Sequence, residues 1–318
     1  MSTIATSISA AKNAQGEFRA GGTDLMDRLR HHVSTTEVVD ISRIPGLGQI
    51  VVNGDGTCGI GALVTIDQVA HNEGIRKNYP GLAQAAGALA NPQIRRAASM
   101  GGALLQRSRC WYYRHEDFSC YKKGGNSCPM REGNHQYGVC FDLGPCVAPH
   151  PSTLGMALMA YDAEITVDGQ GRRTVAALYG DGRQAAGDHL LAANEVLTHL
   201  HLPAPIPGEL ASYFRSISRA RAEWPLVETL VVGNASDVGT IANARVVIGG
   251  VANVPLRLKE VENYLNGRSA RRAIYEAAGR IAIKGVNPLI GTQYKVELVE
   301  KAVAETVEQT FASLETED

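Results

Sequence analysis

Apolar residues recur at helical spacing in Leu25-Met-Asp-Arg-Leu-Arg-His31 and again over 82–90, where alanine dominates. The stretch 151–162 also reads as a helix. Residues 163–178 alternate apolar and polar on either side of an Asp-Gly pair, which predicts two strands joined by a tight turn. A strand-like run covers 56–63, and 195–202 alternates as another strand that ends at Pro203. Three prolines then fall within Pro203-Ala-Pro-Ile-Pro-Gly208, a natural linker. Beyond it the pattern predicts strands over 213–218 and 244–251 and helices starting at 257, 270 and 294. The layout is α+β, with mostly antiparallel strands and a helical tail. It is not a βαβ alternation, so a doubly wound nucleotide fold is disfavoured.

At 318 residues and 44% hydrophobic, the chain is long enough for a full core divided into two or three subdomains. A net charge of −1 gives no basic field to recruit nucleic acid or an anionic membrane surface. The longest apolar runs fall well short of the roughly 20 residues of a membrane span. Residues 1–14 lack the basic start and apolar run of a signal peptide. A soluble protein is expected, with the cytoplasm as the default compartment.

The chemistry concentrates in one glycine-rich stretch holding Cys110, Cys120, Cys128, Cys140 and Cys146, whereas the rest of the chain has only Cys58. Several thiolates in an irregular loop suit an iron-sulfur cluster or a structural zinc. No pair is spaced CxxC, and the wide, uneven gaps count against zinc knuckles more than against a 4Fe4S cube. Disulfides are the third option, weakened by the size of the chain and the missing signal peptide. Trp111, Tyr112, Tyr113, Phe118 and Tyr121 crowd the same loop, either shielding a cluster from water or giving the loop a core of its own. Cys58, in a strand-like run, reads as a buried small apolar residue.

Two glycine pairs stand upstream. Gly21-Gly22 precede Thr23 and Asp24, both cap candidates for the helix at Leu25, and Gly101-Gly102 follow Ser99. Such turns let backbone N–H groups approach an anion, and a helix N-terminus adds its positive end. Each turn alone is as readily an ordinary cap or close-packed bend. Neither is a GxGxxG fingerprint or a P-loop.

In order along the chain, Ala20-Gly-Gly-Thr-Asp-Leu25, Gly61-Ala-Leu-Val-Thr65, Ser99-Met-Gly-Gly102 and Ile248-Gly-Gly-Val-Ala-Asn-Val-Pro-Leu-Arg257 resemble the FAD-binding medium subunit of the molybdenum hydroxylases. Xanthine dehydrogenase and carbon monoxide dehydrogenase represent that family, and the resemblance runs from about Gly16 to the C-terminus. The loop from Gln106-Arg-Ser-Arg-Cys110 to Cys146-Val-Ala-Pro-His-Pro-Ser152 resembles the insertion of a smaller branch with an extra 4Fe4S cluster. Medium subunits of 4-hydroxybenzoyl-CoA reductase and periplasmic aldehyde oxidoreductase belong to it.

The resemblance implies a FAD-binding domain of the molybdopterin dehydrogenase type over residues 1–203, split at about 55/56 into a small and a larger subdomain, with the iron-sulfur insertion at 104–150. A C-terminal domain of antiparallel sheet and helices would cover 209–318. It implies FAD contacts from Arg19, Ala20, Gly21, Gly22, Thr23, Asp24 and Leu25, from Ser99, Gly101 and Gly102, and from Ser152 and Arg215. Cys110, Cys120, Cys128 and Cys146 would hold the cluster, with Cys140 as the substitute for Cys146. Four positions depart from the family pattern: Arg96 and Ala103 replace Asn, Thr153 replaces Asp, and Arg215 replaces Lys. No catalytic acid or base is implied. The chain would be an oxidoreductase subunit passing electrons between the 2Fe2S clusters of a small subunit and an external acceptor, beside a large subunit bearing the molybdenum cofactor. Export as a passenger on a signal-bearing partner is the family's alternative to the cytoplasm. The competing readings are a flavoprotein with zinc or no metal in the loop, and a non-catalytic assembly module.

Overall fold

The computed structural model describes residues 2–220 and 222–315; Met1, Arg221 and 316–318, which fall in the expected domain ranges, lie outside the described residues. The first forty residues hold three short strands, β1 (Ser2–Ile4), β2 (Glu17–Arg19) and β3 (Val38–Asp40), with helices Ile8–Asn13 and Leu25–Arg30 between them. Both β1 and β2 pair in parallel with the central β3. This β-α-β-α-β unit corrects the expectation that such alternation is absent. Strands of three residues are too short to show a period of two, so the pattern could not reveal them.

A second sheet contains β4 (Ile50–Val52), β5 (Cys58–Gly61), β6 (Glu164–Val167), β7 (Gly171–Thr174) and β8 (Leu197–Leu202), all antiparallel in the order β4-β5-β8-β6-β7. The expected strand pair around the Asp-Gly turn is present as β6 and β7, although 175–179 continues as a short helix, Val175–Tyr179. Helices share a core with this sheet, and several start on identifiable signals. Thr65 and Gln68 form a capping box for Ile66–His71. Pro80 opens Pro80–Ala88 at its first turn. Cys58 is buried in β5, as expected of a small apolar residue.

The third sheet, ordered β12-β11-β10-β9, contains β9 (Leu210–Ser216), β10 (Val227–Ala235), β11 (Ile241–Gly249) and β12 (Leu256–Arg257). Helices Lys259–Leu265, Arg272–Ala282 and Tyr294–Phe311 follow it. The sequence pattern missed β10. The reason is its burial on both faces: Leu230 and Val232 join the core of the preceding domain, while Val227 and Val231 join the core under the C-terminal helices. A strand covered on both sides loses the apolar-polar alternation that identifies one. No helix among the described residues is long and apolar enough to cross a membrane.

Candidate functional site

The first glycine turn lies where two backbones nearly touch. A Cβ at Gly21 would come within 1.7 Å of the Ala97 carbonyl oxygen, and Gly22 adopts φ +74°, in the left-handed region that glycine enters without steric cost. The second turn follows helix Pro92–Ala97, which Asn91 caps by accepting the Ile94 N–H at 2.9 Å. Ser99 Oγ then accepts the Gly102 N–H at 3.2 Å and starts helix Met100–Leu104. Arg19, Ala20, Gly21, Gly22, Thr23, Asp24 and Leu25 line one cavity together with Ser99, Gly101 and Gly102. The structure therefore brings both turns to a single site.

A neighbouring cavity of about 150 Å³ shares Thr23, Asp24 and Gly102 with the first and adds Arg215, Glu223 and Trp224. The carbonyl oxygens of Ala88 and Glu223 hold the Arg215 guanidinium in place. The Nε atoms of Arg19, Arg109 and Arg215 are buried without a hydrogen-bond partner among the described residues, and each of these arginines lines one of the two cavities. Buried donors of this kind call for an acceptor-rich ligand, and glycine turns open to close backbone approach suit a pyrophosphate.

Ser152 does not join this group. Its hydroxyl accepts the Gly155 N–H at 2.9 Å as the cap of helix Thr153–Ala160, buried and away from both cavities. Asp24, expected as a helix cap, occupies the cap position without using its side chain there. Its carboxylate instead lies 3.0 Å from Arg109, 2.6 Å from Arg114 and 3.2 Å from Arg28, and accepts the Arg107 N–H at 3.2 Å. Burial pushes this carboxyl up, but Arg109, Arg114 and Arg28 outweigh it and hold the group below its ordinary range. The first turn is thus tied electrostatically to the start of the cysteine loop.

Within that loop, Cys110, Cys120, Cys128 and Cys146 line one small cavity with Tyr112, Tyr113, Tyr121 and Met130. Cys140 lies elsewhere, in the core of the C-terminal domain, where its N–H donates to the Val251 carbonyl. All six cysteines are free. Cys146 donates to Cys128, which together with backbone N–H groups of Val147, Arg131 and Met130 lowers the Cys128 thiol below its ordinary value, against the effect of burial. The same hydrogen bond, with burial, raises Cys146. Burial lifts Cys110 to about 11 even though the N–H groups of Tyr113 and Tyr112 point at it. Amides directed at sulfurs are what anionic thiolates need. Among the described residues, no three His, Cys, Asp or Glu side chains converge on a point that would hold a single metal ion. The loop also has a core of its own, in which Met130, Val139 and Val147 pack with Cys110, Tyr112 and Cys128.

Cys110 also lines a larger cavity of about 380 Å³ with Arg109, His150, Trp224, Glu228 and Lys295. Arg109 and Trp224 belong to this cavity and to the neighbouring one, with the guanidinium 4.4 Å above the indole ring. The wall between the cysteine loop and the glycine turns is therefore shared. Sequence reading missed Glu228 and Lys295. Glu228 accepts from Thr153 Oγ1 at 2.8 Å and Tyr213 OH at 2.7 Å, and burial raises its pKa. It thereby brings a carboxyl beside the hydroxyl at position 153. Lys295 is buried, donates to the Gly250 carbonyl at 2.9 Å, and is pulled down to about 8 by that burial. Neither residue sits in a motif, so only contacts distant in sequence reveal them.

Residues 2–205 match the family of the FAD binding domain in molybdopterin dehydrogenase, and residues 212–310 match the CO dehydrogenase flavoprotein C-terminal domain. The aldehyde oxidoreductase FAD-binding subunit PaoB of Escherichia coli (strain K12) is 30% identical over 313 residues, covering 96% of this chain and 94% of that protein. The carbon monoxide dehydrogenase medium chain of Hydrogenophaga pseudoflava is 25% identical, covering 86% of this chain and 80% of that one. A solved structure of carbon monoxide dehydrogenase from the same organism superposes with a TM-score of 0.75 at 22% identity, covering 98% of this chain and 96% of that chain, which is a likeness of fold. The two glycine turns meeting at one cleft and the match of both domain families lead to the same place: this chain belongs to the FAD-binding subunits of the molybdenum hydroxylase family, of the carbon monoxide dehydrogenase and xanthine dehydrogenase type.

Proposed function

We propose that this oxidoreductase subunit carries electrons through FAD and one 4Fe4S cluster. It would do so between the 2Fe2S clusters of a small partner subunit and an external acceptor, with substrate oxidation on a large molybdenum-cofactor subunit. The carrying observation is the shared wall, in which Cys110 lines both the four-cysteine cavity and the larger cavity bounded by Arg109 and Trp224. A flavin exchanges two electrons and an iron-sulfur cluster one, so the pair supplies interconversion between the two. The protein's part is placement. Arg19 to Leu25 with Ser99, Gly101 and Gly102 would hold the dinucleotide, Arg215 would supply a cation to its acceptor atoms, and Trp224 with Arg109 would exclude water between the two sites.

Cys110, Cys120, Cys128 and Cys146 would hold the cluster. The convergence of the four cysteines on one small cavity and its apolar tyrosine and methionine walls support this reading. The division into residues 1–203 and 209–318 fits the linker between β8 and β9. The partners are inferred from the names of similar proteins, which mark them as subunits of larger complexes.

The test is anaerobic purification with co-expressed neighbours, followed by iron, acid-labile sulfide, zinc and flavin analysis. About four iron and four sulfide with one FAD on this chain support the reading. Flavin with equimolar zinc, or neither cofactor, overturns the cluster.

A further inference from the structure

The cysteine loop is closed by one carboxylate from outside it. Asp188 accepts the Ser108 N–H at 3.1 Å near the start of the loop, and its carbonyl oxygen lies 3.2 Å from His150 Nε2 at the end. From the middle, Lys122 Nζ sits 2.8 Å from Asp188 Oδ1 and donates to the Gly187 carbonyl at 2.6 Å. Arg107 is the other cation facing this carboxylate, at 4.0 Å. The Lys122 and Asp188 side chains are only 5% and 4% exposed.

Burying an ion pair this deeply seldom stabilises a fold more than apolar residues of the same volume. Its position suggests another use. Lys122 follows Cys120 by two residues and lines the four-cysteine cavity, and its charge acts on Cys146.

We propose that Lys122 is the charge-setting residue of the four-cysteine site, and that Asp188 is the positioning residue that holds it there. This rests on the cluster reading above. One-electron reduction of a cluster held by these cysteines would add one negative charge to the cavity, and a fixed cation nearby would make that reduction easier. Charge near a cluster and its burial are among the factors that set its potential. Asp188 tempers the cation and keeps it from swinging to solvent.

The experiment is redox titration, followed by electron paramagnetic resonance, of the full complex carrying Lys122→Met, Lys122→Arg, Asp188→Asn or the Lys122→Met/Asp188→Asn pair, with iron, flavin and melting temperature measured alongside. Lys122→Met is expected to shift the cluster potential negative and Asp188→Asn to shift it positive. Lys122→Arg and the double variant should lie near the wild type. A residue that only holds the loop together would lower iron content and melting temperature without opposite shifts. Potentials that stay put, or that move together, in cluster-bearing variants overturn the assignment of charge-setting while leaving the cluster reading intact. A wild type without iron and sulfide overturns both.

Discussion

The glycine cradle and the cysteine loop adjoin each other but are held in different ways. The cradle is shaped by backbone: Gly21 against Ala97, Gly22 at positive φ, Ser99 and Asn91 capping short helices. The cysteine loop has little regular structure and is held by a small apolar core and by side-chain charge, with Lys122 on Asp188 and Arg131 on Asp142. A backbone-built site resists substitution at its glycines and tolerates change elsewhere. A charge-built site depends on a few pairs, most of them distant in sequence.

The strongest test of this contrast is Gly21→Ala. The added methyl would overlap a carbonyl oxygen, so we expect a loss of about 4 kcal/mol or more and flavin-free protein, while a properly folded cysteine loop still takes up iron. Next comes Asp24→Asn, which leaves Arg28, Arg109 and Arg114 without their shared counter-charge. A broken buried pair costs about 3 kcal/mol, and because Asp24 joins the two regions, both flavin and iron should fall. Retention of either at wild-type levels would separate the regions more fully than the contacts indicate. Cys140→Ser places a hydroxyl in the C-terminal core at a cost of about 2 kcal/mol yet should leave iron per chain unchanged, whereas Cys146→Ser should lose the iron and keep the flavin. Metal analysis of the two serine variants decides between them.

The last test concerns pH. Burial raises the Glu209 carboxyl from 4.5 to about 7. Its folded pKa exceeds the unfolded value, so the folded state keeps the proton longer and stability declines as pH rises from about 4.5 to about 7. Glu209→Gln should flatten that part of the melting-temperature profile. An unchanged slope would show that the carboxyl titrates normally.

How much of this was legible in the sequence follows the same division. The cradle could be read because glycine pairs before a helix carry their reason locally, in backbone conformation. The four cysteines could be read as a group, and Cys146 favoured over Cys140, from the residues around it. Asp188, Glu228 and Lys295 could not be read, since each gains its role from a partner far along the chain. Ser152, expected at the flavin from the family resemblance, lies outside both cavities as a helix cap. β10 escaped because apolar residues on both of its faces erase the alternation, and the first three strands because they are too short to alternate.

Leu230, Val232 and Val247 lie beyond the proline-rich linker yet belong to the same core as Ile60, Leu82 and Leu158 before it. Two families meet at that linker, but the apolar interior runs past it. The polypeptide should therefore unfold as one cooperative unit, with a single calorimetric transition, and a chain cut within the linker should leave each half with an exposed apolar face. Flavin loading in one half should then be linked to the stability of the other without any moving part, because the two halves share one apolar core.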